Sequence, residues 1–165
     1  WYVYHKDVAG SLGLNESSAI ISSDTIFNST PTATNLPFDN PGYDSLAVNG
    51  NNDTYVGYLF STLAGISKVG SYSGTGNNVN VDCGFTSGAR FIMIKRINGT
   101  GGWYVWDTLR GIGSGNDPYW LANTTDNPVT NTDYVDPFSS GFTVTSSAPA
   151  ALNASGGTYL FLAIA

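Results

Sequence analysis

One near-identical tetrapeptide stands in each half of the chain, and this internal repeat constrains the fold more than any other feature. Trp1-Tyr2-Val3-Tyr4 recurs as Trp103-Tyr104-Val105-Trp106. Each copy is followed by a Gly-rich stretch and then a Leu with an Asn-x-Ser/Thr triplet close behind, Leu14 with Asn15 and Leu121 with Asn123. Asn49, with Thr54-Tyr55-Val56-Gly57-Tyr58-Leu59-Phe60 after it, recurs at the same internal spacing as Asn153 with Thr158-Tyr159-Leu160-Phe161-Leu162-Ala163-Ile164. Matching motifs in the same order predict two related halves, an incomplete first repeat over 1–66 and a second over 67–165, packed as one compact unit or as two small β modules. The second copy is preceded by Gly70-Ser71-Tyr72-Ser73-Gly74-Thr75-Gly76, Asp82-Cys83-Gly84-Phe85 and Phe91-Ile92-Met93-Ile94 closed by Lys95-Arg96, and no counterpart stands before Trp1. The expectation is that the chain is the C-terminal piece of a longer polypeptide. The strand at Trp1 should then pair with upstream chain or a neighbouring subunit, because folded proteins cover open edges.

The repeated motifs read as strands. Phe91 to Ile97 and Trp103 to Leu109 are β-rich runs joined by Asn98-Gly99-Thr100-Gly101-Gly102, a hairpin connection. Tyr55 to Phe60 and Thr158 to Ile164 are apolar on both faces, as strands at the centre of a packed sandwich are. Phe142 to Thr145 alternates like a half-exposed strand. Ile20 to Asn40, with Pro31 and Pro37, reads as irregular around a short Thr25-Ile26-Phe27 strand. No window has a helical period beyond a turn near Ser61 to Ile66. Only 11% of residues are charged while 20 of 165 are Gly, so surface polarity falls to Ser, Thr, Asn and Gly, residues that favour turns over helices. With 41% hydrophobic and 13% aromatic residues there is material for a core. The fold class expected is all-β, a β-sandwich of jelly-roll-like form.

Charge and composition exclude several functions. The net charge is −6, and Lys6, Lys68, Arg90, Lys95, Arg96 and Arg110 are scattered, which disfavours nucleic-acid binding. No apolar run has the roughly 18 residues of a membrane helix, so no membrane insertion is expected. The single Cys83 cannot form an internal disulfide, and its presence does not identify a compartment. His5 and Asp7 invite acid-base chemistry, but no second histidine and no Gly-x-Ser-x-Gly turn accompany them. Asp117, Asp126, Asp133 and Asp136 stand in loops, where Asp is also the ordinary turn former. No Asp-x-Asp-x-Asp calcium loop occurs, and whether a structural calcium is bound is not legible. The Gly-rich tract Ser71 to Asn78 lacks the Lys of a phosphate loop and reads as a turn. No catalytic residue, enzyme activity or cofactor is expected.

Trp1, Trp103 and Trp106 lie in strand motifs and are expected to pack. Trp120 differs, since the matching stretch of the first copy has only Leu12 and Gly13. An aromatic not demanded by the repeat is available to a partner, so the loop with Tyr119 and Trp120, flanked by Asn116, Asp117 and Asn123, is the expected glycan-stacking or interface site. Six Asn-x-Ser/Thr triplets, at Asn15, Asn28, Asn52, Asn98, Asn123 and Asn153, are expected at the surface and are glycosylation acceptors if the protein is secreted by a glycosylating route.

Several strings together resemble a known family: Trp1 to Asp7, Thr54 to Phe60, Ile66 to Gly74, Gly84-Phe85, Ile92 to Arg96, Trp103 to Asp107 with Arg110-Gly111, and the ending Gly156 to Ala165. They are similar to the uncharacterised C-terminal domain of tailed-bacteriophage virion proteins, the tail-fibre or tail-associated structural proteins. The resemblance spans most of the chain, is weakest from Ser17 to Ala47 and is most specific from Ile66 to Arg110. It implies a virion component, at the virion surface or extracellular, that assembles as a homo-oligomer with other virion proteins. Tail-fibre ends further imply contact with host surface polysaccharide. The family has no catalytic residues to carry over. A subunit of a non-viral extracellular filament or matrix is the alternative, and a glycoside hydrolase a distant third.

Overall fold

The computed structural model describes residues 1–21, 26–27, 31–32, 34–38, 48, 50 and 52–165. Among the described residues, ten strands and one short helix have defined bounds, in chain order: β1 (Tyr2–Val3), β2 (Leu12–Gly13), β3 (Ser67–Ser73), β4 (Val79–Asp82), β5 (Phe91–Arg96), β6 (Trp103–Asp107), β7 (Trp120–Leu121), β8 (Val135–Phe138), β9 (Gly141–Val144), α1 (Ala150–Asn153) and β10 (Thr158–Ile164). The all-β expectation holds.

The largest sheet has the order β3-β10-β5-β6-β7, and a second has the order β4-β9-β8; all pairings are antiparallel. Between them lies the main core. Tyr159, Phe161 and Ala163 from β10 meet Ile92 and Ile94 from β5, Trp106 from β6, and Val81, Val135, Phe142 and Val144 from the smaller sheet. The alternation of β10 and β5 puts every second side chain into this layer, and each large one buried there contributes about 1.5–3 kcal/mol. Gly141 lets β9 cross close to Val81, since a Cβ would collide with the Val81 carbonyl.

On the outer face of the large sheet sits the β1–β2 hairpin. Leu12, Trp103 and Leu160 form a second core there, flanked by Val3, Val8, Leu14, Ile20, Met93 and Ile97. Lys95 ties the layers together. Its Nζ is buried and donates to the carbonyls of Ser17 (3.3 Å), Ser18 (2.7 Å) and Gly101 (2.7 Å). Burial pushes this ammonium down to about 8. From sequence Lys95 closes an apolar run; in the fold it is interior because three carbonyls satisfy it.

The repeat is visible as repeated hydrogen bonds. The Trp1 amine donates to Asn15 Oδ1 (3.2 Å) as the Trp103 N–H donates to Asn123 Oδ1 (2.8 Å). Leu14 N–H donates to Trp1 O and Ala122 N–H to Trp103 O, both at 2.9 Å, and Ser11 bridges Ile21 as Tyr119 bridges Val129. Leu12 thus corresponds to Trp120, and Leu14 to Ala122 rather than to Leu121. The closing motif repeats as well: Gly50 N–H donates to the Tyr55 hydroxyl and Ala154 N–H to the Tyr159 hydroxyl, each at 2.8 Å.

Several sequence expectations differ from the structure. Phe142 to Thr145 is buried at every position rather than half-exposed, because β9 is the central strand of its sheet, and Trp1 is 65% exposed rather than packed inside. Tyr55 to Phe60 is no central strand; every residue from 52 to 66 is exposed, and the segment has no strand partner among the described residues. Its apolar pattern suits a sheet centre, but no strand among the described residues lies beside it to bury it. Ile26 and Phe27 form a bend rather than a strand, and Thr25 lies outside the described residues. Ser71 to Ser73 belongs to β3 rather than to a turn. Helix α1 was not legible, because one turn after Pro149 is too short for a period.

Candidate functional site

The segment with Tyr119 and Trp120 is strand rather than loop. Tyr119 bridges Val129 and Trp120–Leu121 is β7, because this stretch repeats the β2 part of the first hairpin. Its five expected ligand residues separate into two groups.

Asp117 and Tyr119 are interior. The Asp117 carboxylate accepts from Trp106 Nε1 (3.0 Å), Val135 N (3.0 Å) and Tyr134 N (3.1 Å), and its backbone exchanges bonds with Thr132. It is fully buried. Burial pushes its carboxyl up to about 6, although the Val135 and Tyr134 amides and the Trp106 indole pull it back. Tyr119 packs in the main core against Tyr104 and Trp106, with ring centroids at 4.9 and 5.8 Å, and burial raises its hydroxyl to about 12. Neither presents a side chain to a glycan. Both are held inside because the 117–119 stretch links the two sheets.

Asn116 is exposed and Trp120 is half-buried. Asn123 is half-buried too, its Oδ1 committed to Trp103 N–H. The Arg110 guanidinium lies over the Trp120 ring at 5.9 Å and pairs with Asp107, whose Oδ1 also accepts the Arg110 N–H (2.9 Å). Trp120, Arg110 and Asp107 therefore make one surface patch, an aromatic ring with a fixed cation on one face. Arg110 and Asp107 were not singled out from sequence as site residues; the Trp-x-x-x-Asp-x-x-Arg spacing of strand and following turn is the signal that places them. A separate open depression is lined by Asn15, Glu16, Ser17, Ser18, Thr100 and Asn123.

The triplet asparagines also divide. Asn15 and Asn52 are exposed, and Asn28 lies outside the described residues. Asn98 is exposed, yet its Nδ2 donates to Gly156 O (2.9 Å) and its Oδ1 accepts from Thr158 N–H (3.0 Å). Asn153 is buried, with Nδ2 donating to Asn77 O and Thr145 O and Oδ1 accepting from Thr75 N–H. A glycan would replace one of the two Nδ2 hydrogens donated here and would have to be housed in a buried position, which removes Asn153 from the acceptor set.

His5 is buried; its Nδ1 accepts the Asp7 N–H (3.1 Å), and burial lowers the imidazole's proton affinity, with Asp7 opposing. The Cys83 thiol is buried and raised to about 11, which makes it a poor nucleophile at neutral pH. Among the described residues no group of three His, Cys, Asp or Glu is placed to hold a metal ion. No helix among them is long and apolar enough to cross a membrane.

The most unusual surface is the segment 54–66. Val56, Tyr58, Leu59 and Phe60 are 68%, 73%, 78% and 61% exposed, and Trp1 lies against Tyr58 at 6.0 Å between ring centroids.

The whole sequence, residues 1–165, matches the model of a family described as a domain of unknown function, DUF7483. No curated protein and no solved structure matches the chain.

Proposed function

The chain belongs to the DUF7483 family, a domain of unknown function, and we propose that it is a structural component of a bacteriophage virion, a tail-fibre or surface-appendage module. It joins copies of itself and other virion proteins, and it contacts host surface glycans. The run of exposed apolar side chains over 54–66 supports the assembly part of this reading, because a surface of this kind gains by being covered by further protein. The resemblance of the strings Trp1 to Asp7, Ile66 to Gly74 and Trp103 to Asp107 to those of tailed-phage virion proteins is what the virion part draws on. The Trp120–Arg110–Asp107 patch supports the glycan part, since a half-exposed ring beside charged groups suits a sugar's apolar face and hydroxyls.

Purified particles of the phage that encodes the chain should contain it by mass spectrometry, and an antibody against residues 67–165 should decorate an external appendage. Absence from the particles would overturn the reading. The alternative, a non-viral extracellular filament or matrix subunit, draws on the exposed acceptors Asn15 and Asn52. Recovery from a cell-surface fraction with glycan mass on those two residues would favour it.

A further inference from the structure

We propose that Thr54–Phe60 is an acceptor strand, completed on both edges by a further copy of the two strands that flank β10. The inference rests on the assembly reading of the same segment and names its partner. Its basis is the repeat. Gly50 N–H to the Tyr55 hydroxyl repeats Ala154 N–H to the Tyr159 hydroxyl, and Asp53 N–H to Gly50 O repeats Gly157 N–H to Ala154 O. Val48 is helical where Leu152 lies in α1. These bonds place Thr54–Phe60 in the position of β10.

In the complete copy that position is the centre of a sheet. β10 pairs with β3 from Thr158↔Ser73 to Ile164↔Ser67 and with β5 from Tyr159↔Arg96 to Ile164↔Phe91. Thr54–Phe60 has a like apolar sequence, with no strand assigned to it, and neither neighbour among the described residues. The same physics that buries β10 therefore calls for two antiparallel strands patterned like Ser67–Ser73 and Phe91–Arg96. A second copy of this chain does not supply them at low cost. Its own β3 and β5 are already engaged by its β10, and offering them would vacate that strand. The occupant is thus the leading part of another repeat of this module.

The probe is the full chain with an added copy of residues 66–102 directly before Trp1, so that Gly102 precedes Trp1 as it precedes Trp103. In the 165-residue chain the amides of Val56 to Phe60 should exchange with solvent near their free rates; in the extended chain they should slow by ~100-fold or more. Ile92→Asp with Ile94→Asp in the added copy alone should restore fast exchange. Unchanged exchange in a folded extended chain overturns the proposal. So does protection that arises in the unextended chain with rising concentration, which would assign the segment to a second copy. If the extended chain misfolds, a synthetic 66–98 peptide added to the 165-residue chain decides by the same measurement: protection supports the proposal, and none overturns it. The result does not depend on whether the chain is found in particles, so failure of the virion reading and failure of strand addition are separable.

Discussion

Asp117 stands in a Gly-Asn-Asp-Pro stretch that any reader would place at the surface, yet it is the best-satisfied acid of the described residues. Asp117→Ala leaves the Trp106 indole and the Tyr134 and Val135 amides without their acceptor, and should cost on the order of 3 kcal/mol in chemical denaturation. Its titration has a definite sign. The folded carboxyl is raised to about 6 from an ordinary 3.8, so the folded state holds the proton more tightly. Stability from this group is full below pH 3.8 and is lost as pH rises through 6. Asp117→Asn does not titrate, so its stability deficit relative to the parent should widen from pH 7 to pH 4; a deficit that narrows would refute the assignment. His5 acts oppositely: its lowered imidazole contributes stability above pH 6.5 that is lost as pH falls through the folded value. Lys95→Met should cost about 1–3 kcal/mol by stripping three carbonyls of their donor. It should also speed exchange of the Ile20 amide, which binds Ile97 O beside them.

At the scale of elements, two segments of like pattern have opposite fates. Thr158–Ile164 is paired on both edges, and Tyr159, anchored to Ala150 O (2.8 Å) and stacked on Tyr72 at 4.9 Å, locks it to α1. Thr54–Phe60 keeps the tyrosine bond but not the sheet. Proline should report the difference. Leu160→Pro removes a ladder donor from a central strand and should abolish cooperative folding, whereas Val56→Pro, at the equivalent place, should shift the melting temperature of the isolated chain little. Equal damage from both would mean that 54–60 is paired after all.

At the scale of the whole molecule, the chain is a sandwich with a third thin layer, the β1–β2 hairpin, joined to the large sheet through Leu12, Trp103 and Leu160. Trp103 is at the centre of that joint and donates its Nε1 to Gly13 O (2.8 Å), so Trp103→Ala should cost on the order of 3–5 kcal/mol. Trp120→Ala, on the rim, should leave the melting curve nearly unchanged and weaken attachment to host cells. Unfolding by Trp120→Ala, or normal attachment despite it, would remove the ring from the binding surface.

The sequence by itself determined the all-β class, the hairpin at Asn98–Gly102, strand β10 to its last residue, and the repeat, because these depend on local turn chemistry, two-residue periodicity and matched strings. It also singled out Trp120 as an aromatic with no counterpart in the Leu12-Gly13 stretch of the first copy; that Trp120 stands where Leu12 does came from the bonding pattern of the two hairpins. Only the tertiary structure decided that Asp117, Tyr119, Lys95 and Asn153 are interior, since a polar side chain is buried or exposed according to the donors and acceptors that distant segments bring to it. The same holds for Tyr55 to Phe60. An apolar strand pattern states what a segment needs, and whether neighbouring strands meet that need is a property of the fold around it.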